Sequence, residues 1–172
     1  PSRHVLYMKG DDRLQEADLS EAMDRYGDAV YRLALCRLQN VQDAEDVYQE
    51  TFLRLFQEDA AGWDEEHRKA WLLRVALNLC RDVGRKRKTR GWVSLEDVAE
   101  IPGGKVPEYA ELWDAVNRLP EKYRTVFHLH YAEGCKTEDI ARILRIPGAT
   151  VRVRLSRART ILRKELELYD LC

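Results

Sequence analysis

Three series of apolar residues, spaced three and four apart, cover the first half of the chain. They are separated by the polar pair Gln39 and Asn40 and by the polar, glycine-containing stretch 58–67. This spacing places the apolar side chains of each series on one helical face, so it predicts three amphipathic helices that pack as one bundle. The series comprise Leu19, Met23, Tyr26, Val30, Leu33 and Ala34, then Val41, Ala44, Val47, Tyr48, Phe52, Leu55 and Phe56, then Trp71, Leu72, Val75, Ala76, Leu79 and Val83.

The second half shows the same period after a break. Residues 91–108 contain three glycines and two prolines and no helical pattern, which predicts a flexible linker over 93–108. Beyond the linker we predict a helix ending at Pro120, another ending at Gly134, and then two short helices. Strand-like alternation of useful length is absent, so we expect an all-α fold of two small helical bundles.

Residues 137–155 have the build of a helix-turn-helix. Thr137 can cap the first helix, the small Ala141 permits close approach of the second, and the turn runs from Arg145 to Gly148. Val151 and Leu155 are expected to face the core of the second bundle.

Charge is segregated along a chain whose total is nearly neutral. The 172 residues carry 29 Lys and Arg against 30 Asp and Glu, a net charge of −1, which argues against a protein that coats nucleic acid indiscriminately. Residues 81–90 hold six basic residues and one acid, and residues 142–164 hold eight basic residues and no acid. Acidic stretches lie before and between them. This distribution predicts a protein that binds a polyanion through two basic surfaces and has an acidic surface for a different partner.

Several classes of protein are disfavoured. The longest apolar runs are far shorter than the ~20 residues of a membrane span. Residues 1–12 lack an apolar core followed by a cleavage site, so we expect a cytoplasmic protein without membrane insertion. Cys36, Cys80, Cys135 and Cys172 form no C-x-x-C pair, and the histidines lack ligand spacing, so reduced thiols are favoured over a zinc site.

Two basic helices carry candidate nucleic-acid chemistry. In the first, Trp71, Arg74 and Asn78 share a face and could stack on and hydrogen-bond an unstacked base. Trp71 also fits a core position by its period, and Asn78 needs a hydrogen-bond partner. The second helix exposes arginines suited to phosphates and guanine edges. The alternative there is a solvated surface face, but such faces normally mix signs.

Four segments in this order resemble bacterial extracytoplasmic-function sigma factors, the small group 4 of the sigma-70 family. They are DAEDVYQETFLRL (43–55), AWLLRVALN (70–78), LPEKYR (119–124) and TVRVRLSRAR (150–159). The resemblance covers roughly residues 19–166 and implies sigma region 2 over 12–92, a linker over 93–108, and sigma region 4 with its helix-turn-helix over 109–172. It implies an RNA polymerase sigma factor that directs promoter-specific initiation, without catalysis, cofactor or metal.

The resemblance also implies partners and site residues. Region 2 would bind the clamp helices of the core polymerase largest subunit, melt the −10 element and hold a flipped base, with Asn78 at the position associated with base capture. Region 4 would read the duplex −35 element, and an anti-sigma factor would be a further partner. The implied polymerase-binding residues are Asp43, Asp46, Gln49 and Glu50. The −10 residues are Trp71, Arg74, Asn78, Arg81, Arg85, Lys86, Arg87 and Lys88, and the −35 residues are Thr150, Arg152, Val153, Arg154, Ser156, Arg157 and Arg159.

Two departures and two alternatives accompany this interpretation. Val153 and Ser156 stand where relatives often carry a polar and a bulkier residue, so the −35 sequence cannot be transferred from a relative.

An ordinary helix-turn-helix regulator, binding duplex DNA as a dimer, would not need the acidic helix followed by Trp71, Arg74 and Asn78. A nucleic-acid enzyme could place Mg²⁺ on Asp43, Asp46 and Glu50, but no ligand cluster from another segment accompanies them.

Overall fold

Helices account for all the regular secondary structure in the described part of the chain. The computed structural model describes residues 16–58, 60, 62–89 and 110–169. The predicted linker over 93–108, the chain before 16 and the last three residues lie outside these ranges. The helices are α1 (Glu16–Leu38), α2 (Val41–Gln57), α3 (Glu65–Thr89), α4 (Ala110–Arg118), α5 (Glu121–Tyr131), α6 (Thr137–Leu144) and α7 (Gly148–Tyr169). The all-α prediction is confirmed, and no helix in these ranges is long and apolar enough to cross a bilayer.

The first bundle consists of α1, α2 and α3, as the three apolar series predict. Val30, Leu55 and Leu72, one from each helix, are fully buried in its core. The polar break between the first two series is the turn from α1 to α2. The Asn40 side chain caps α2 there by accepting a hydrogen bond from the backbone N–H of Asp43, at 2.9 Å.

The second bundle consists of α4 to α7, and the motif LPEKYR makes its first corner. Pro120 is the N-cap of α5. The buried Arg124 guanidinium turns back and donates from Nη1 to the carbonyl oxygens of Asn117, at 2.8 Å, and Leu119, at 3.2 Å. These carbonyls belong to the end of α4, where helical partners run out. These hydrogen bonds tie the end of α4 to α5, and burial lowers the pKa of Arg124.

The last helix is longer than predicted. The sequence favours two short helices after residue 134, but α7 has 22 residues and ends at Tyr169. Ala158 and Leu162 continue the buried stripe of its first turns, and they pack with α4 and α5 against Val116 and Phe127. The prediction of a short final helix is wrong because a continuing apolar contact supports the additional turns.

The two bundles are in direct contact, which the sequence does not predict. One hydrophobic cluster, here called the junction cluster, draws on α1 and α3 of the first bundle and on α5, α6 and α7 of the second. Leu33 and Leu73 are fully buried in it. Its members are Ala29, Leu33, Leu73 and Leu77 from the first bundle, and Val126, Leu129, Cys135, Ile140, Ile143, Val151 and Leu155 from the second.

Candidate nucleic-acid interface

The predicted helix-turn-helix is present as α6 and α7. Arg145 ends α6 in the left-handed conformation, with φ of 54°, and its backbone N–H donates to the carbonyl of Ala141. Val151 is fully buried and Leu155 nearly so, as expected. The predicted cap is wrong, because Thr137 is the first residue inside α6 and the N-cap position falls to Lys136, which makes no side-chain cap.

The outward face of α7 carries the residues predicted to read the −35 element. Arg152, Val153, Ser156, Arg157 and Arg159 are exposed, whereas Thr150 and Arg154 are half-buried at its margins. Val153 is 51% exposed and lies among these arginines. The face is therefore cationic with one apolar point, a combination that suits phosphates, guanine edges and a thymine methyl group.

Tyrosine hydroxyl groups, rather than carboxylates, are the neighbours of two of these arginines. Arg157 donates from Nη1 to the Tyr123 hydroxyl at 3.3 Å, which lowers the pKa of Tyr123, and Arg159 donates to the Tyr131 hydroxyl at 3.4 Å. Within the described ranges Arg152, Arg154, Arg157 and Arg159 form no ion pair with a carboxylate. Their positive charge is thus not neutralised locally.

A shallow groove beside α7 adds residues that the sequence analysis missed. It has a volume of about 330 Å³ and lies between the start of α5 and the first three turns of α7. Lys122 and Tyr123 form its α5 wall, with the Lys122 ammonium 5.0 Å from the centre of the Tyr123 ring. Both lie in the motif LPEKYR, and this position at the start of a helix is the sequence feature that could have marked them as neighbours of α7.

The predicted −10 residues on α3 lie side by side, but two of them already contact other side chains of the first bundle. Trp71, Arg74 and Asn78 are all half-buried. The Trp71 ring packs against the first-bundle core and lies 5.4 Å from the ring of Trp63, which precedes α3 and was not predicted. The Asn78 side-chain oxygen accepts a hydrogen bond from Arg81 at 3.1 Å, so the partner expected for this amide is on the same helix.

The basic end of α3 makes several contacts within the first bundle. Arg85 pairs with Asp82 one turn earlier. Arg87 pairs with Asp43 at the start of α2 and also reaches the Leu38 carbonyl. Lys86 is exposed, and the side chain of Lys88 lies outside the described part. Asp43 and Arg87, predicted to serve two different partners, therefore contact each other.

One face of α2 carries the remaining predicted polymerase-binding residues. Asp46 and Gln49 are exposed, and Glu50 is half-buried and accepts a hydrogen bond from Arg54 at 2.8 Å. Leu53 continues this face at the spacing of three and four and is 52% exposed. Leu53 was not predicted as a polymerase-binding residue, although it lies in the motif DAEDVYQETFLRL on the same helical face as Asp46 and Gln49. The face therefore combines acids with an apolar residue.

A buried ionic group at the junction of the bundles also escaped the sequence analysis. The Glu133 side chain is 2% exposed, and its Oε1 lies 3.0 Å from Nε2 of His128. Arg32 donates to Oε1 at 3.2 Å and to Oε2 at 3.3 Å. Burial alone would lower the pKa of His128, but hydrogen bonding with Cys36 and Glu133 raises it to about 9. Burial likewise opposes ionisation of Glu133, but His128 and Arg32 outweigh it and lower the pKa of Glu133. Glu133 is thus held as a carboxylate.

The cysteines and acids considered as metal ligands are dispersed. Cys36, Cys80 and Cys135 are free and buried, and Cys172 lies outside the described ranges. Among described residues no group of three or more His, Cys, Asp and Glu side chains is placed to hold a metal ion.

Comparisons with known proteins agree with the order of these elements. The family model described as Sigma-70 region 2 matches residues 22–90, and the model described as Sigma-70, region 4 matches residues 109–162. The chain is 36% identical to the ECF RNA polymerase sigma factor SigW of Bacillus subtilis, over 92% of this chain and 91% of SigW. It is 31% identical to the RNA polymerase sigma factor SigV of the same organism, over 82% and 86% of the two chains.

Solved structures show the same likeness over most of the chain. The sigma factor RpoE of Bartonella quintana, in complex with the anti-sigma factor NepR, superposes with a TM-score of 0.72 at 26% identity, covering 87% of this chain and 97% of RpoE. CnrH, in complex with the cytosolic domain of CnrY, gives a TM-score of 0.64 at 25% identity over 90% of both chains. On these sequence and structural matches, the chain belongs to the extracytoplasmic-function sigma factors of the sigma-70 family.

Proposed function

We propose a division of labour among three helices of this sigma factor: α2 docks on core RNA polymerase, α3 engages the −10 element, and α7 reads the −35 element. The observation that carries this proposal is the outward face of α7. Its arginines project from a helix-turn-helix and are not neutralised by carboxylates within the described ranges. Such a surface favours the major groove of duplex DNA over a solubility role.

Docking on the polymerase is assigned to the α2 face with Asp46, Gln49 and Glu50 at its centre. Leu53 joins them as an exposed apolar residue that would be buried on binding. Asp43 has a weaker claim, because its carboxylate already pairs with Arg87. The matching surface on the polymerase, its clamp helices, would then be basic at the centre, with an apolar patch opposite Leu53.

The −10 role is assigned to Trp71, Arg74 and Asn78, with Arg81, Arg85, Lys86, Arg87 and Lys88 following the backbone. An extruded base costs a few kcal/mol to unstack, and an aromatic, an amide and cations offset that cost. The Asn78 NH2 group takes no part in the hydrogen bond with Arg81, but the side-chain oxygen already accepts from Arg81, so a base that donates to this oxygen would compete with Arg81 and could displace it. Arg81 would then be available to a phosphate.

We infer that the protein performs no catalysis of its own and works in the cytoplasm with the polymerase. The support for both is its family, whose named relatives are sigma factors. An anti-sigma factor is proposed as a further partner, because the similar RpoE was solved in complex with one.

The test is run-off transcription with purified core polymerase on fragmented DNA of the source genome, with sequencing of the RNA 5′ ends. We expect new start sites preceded by two shared elements. Asp46→Ala should reduce transcription, whereas Glu45→Ala, which removes another exposed acid on a neighbouring face of α2, should not. An absence of RNA together with tight duplex binding by the protein alone would replace this proposal with an ordinary DNA-binding regulator.

A further inference from the structure

One side of the groove beside α7 contains apolar carbon. Val153 lines it together with Ala149 and Thr150, which lie four and three residues earlier and therefore on the same helical face. Ala149 and Val153 are exposed, and Thr150 is half-buried. Tyr123 lines the opposite wall from α5. The groove therefore has methyl groups on its α7 side, within a face that otherwise carries guanidinium groups.

Positive charge borders these methyl groups. Lys122 of α5 and the α7 residues Arg154 and Arg157 complete the lining, and no carboxylate is among the described residues that line the groove. Nη1 of Arg157 donates to the Tyr123 hydroxyl at 3.3 Å, which holds the guanidinium at the edge of the groove. Its other N–H groups can still serve an acceptor. The groove thus suits an anionic ligand that also carries a small apolar group.

Duplex DNA offers one such apolar group at a base edge. Among the four bases only thymine carries a methyl group in the major groove. A valine side chain neither donates nor accepts hydrogen bonds, so it gains contact against a methyl group but leaves a polar base edge without a partner. Val153 is the sixth residue of α7, in the N-terminal part of a recognition helix, which is the part that reaches base edges.

The spacing on α7 limits where the neighbouring cation binds. Arg157 follows Val153 by four residues, which is about 6 Å along the helix. Base pairs are stacked about 3.4 Å apart. A base or phosphate contacted by Arg157 should therefore lie within about two base pairs of the group contacted by Val153.

We propose that Val153 reads the 5-methyl group of one thymine in the −35 element, with the methyl groups of Ala149 and Thr150 beside it. The inference rests on the proposed function, because it needs α7 in the major groove. Cytosine, the other pyrimidine, has no methyl group and presents an amino donor instead, so it is disfavoured at this position. The −35 element should therefore contain a thymine, on one strand or the other, that no other base replaces without loss.

The test removes the methyl group alone. Once run-off transcription has identified the −35 element, promoter fragments carry deoxyuridine in place of one −35 thymine at a time, which leaves the base pairing unchanged. Fluorescence anisotropy follows their binding by the holoenzyme, the protein bound to core polymerase. We expect substitution at one position to weaken binding about fourfold, as for one buried methyl-sized group, and substitution elsewhere to have little effect.

A variant then assigns the contact to one side chain. Val153→Ala shortens the side chain and should leave folding intact, because Val153 is 51% exposed. It should bind the thymine and deoxyuridine fragments equally. Thr160→Ala is the matched control, because Thr160 is exposed on the same helix two turns later and donates its hydroxyl to the Ser156 carbonyl at 3.1 Å. This control should keep the wild-type difference between thymine and deoxyuridine.

Three results overturn the assignment. They are a −35 element without thymine, thymines that deoxyuridine replaces without loss in the wild type, and a loss of equal size in Val153→Ala. The last would give the methyl group to another residue and leave the groove to the sugar-phosphate backbone. Failure of the holoenzyme to start any RNA contradicts the proposed function, and with it this inference, whereas the three results above leave promoter recognition intact.

Discussion

The two proposed DNA-reading helices differ in how their charges are used. On α7 the arginines point outward and contact tyrosine hydroxyls, so their charge remains available. On α3 two of the basic residues form ion pairs within the first bundle: Arg85 pairs with Asp82, and Arg87 pairs with Asp43. The helix assigned to duplex DNA is thus ready to bind, whereas the helix assigned to melted DNA has internal contacts to exchange. A duplex is a rigid target that a preformed surface can match, but a melted strand takes shape only as it binds.

The largest effect should come from the exposed face of α7. Arg152→Ala should weaken −35 binding by about 1–3 kcal/mol, or roughly fivefold to 150-fold, and flatten the sequence preference at one position, because a side chain that reads a base edge is lost. Fluorescence anisotropy on matched and mismatched −35 duplexes measures both quantities. Arg163→Ala, an exposed arginine further along α7, is the control and should leave the preference intact.

A smaller effect is expected on stability from the pair between α2 and α3. Arg87→Ala should lower the free energy of unfolding by about 1 kcal/mol, because the pair is only partly buried. In a double-mutant cycle with Asp43→Ala, the two losses should not add, since each variant removes the same contact. Urea unfolding of the four proteins measures this coupling. Additive losses would mean that the two residues act independently, and the contrast between α3 and α7 would fail.

Lys86 offers a sharper view of the same segment, because it is exposed beside Arg87. Lys86→Ala should weaken DNA binding on the order of threefold, equally across sequences, and reduce the slope of log K against log salt by about 1, as expected for one lost phosphate contact. Stability should not change. If Lys86→Ala changed the sequence preference as much as Arg152→Ala, Lys86 could not be a phosphate-contacting residue distinct from the base-contacting Arg152.

The smallest effect concerns the turn between α6 and α7. Arg145 is not a glycine but has a positive φ, a conformation that costs an L-residue energy and costs glycine little. Arg145→Gly should therefore raise the free energy of unfolding by about 0.5 kcal/mol after the greater flexibility of glycine in the unfolded chain is included. Thermal unfolding measures this gain. A loss of stability would mean that the Arg145 side chain contributes more than its backbone costs.

Periodicity was sufficient for the helices of the first bundle, but it missed the length of α7 and the surroundings of the buried side chains. The three apolar series locate α1, α2 and α3, and the break at Asn40 marks a real cap. The same periodicity cannot distinguish Leu72, which faces the first-bundle core, from Leu73, which faces the other bundle. Both are simply buried. Which neighbour covers an apolar side chain is decided by tertiary contacts that a one-dimensional pattern does not contain.

Side-chain partners were predicted less well for the same reason. Charge segregation correctly pointed to the outward face of α7, because charges that neighbour each other in sequence stay together on a helix. The contact between Asp43 and Arg87 joins residues 44 positions apart, and that between Arg32 and Glu133 joins residues 101 positions apart. Neither pairing leaves a local trace in the sequence.

The buried thiols allow the relative motion of the two bundles to be measured by chemical modification. Cys135 lies in the cluster shared by the two bundles, whereas Cys80 lies in the core of the first bundle, where burial raises its pKa to about 12. Any separation of the bundles would uncover Cys135 first, because Cys80 is surrounded by the first-bundle core. The rate at which an alkylating reagent modifies Cys135 relative to Cys80 therefore reports how often the bundles part, in the native chain and without an added label.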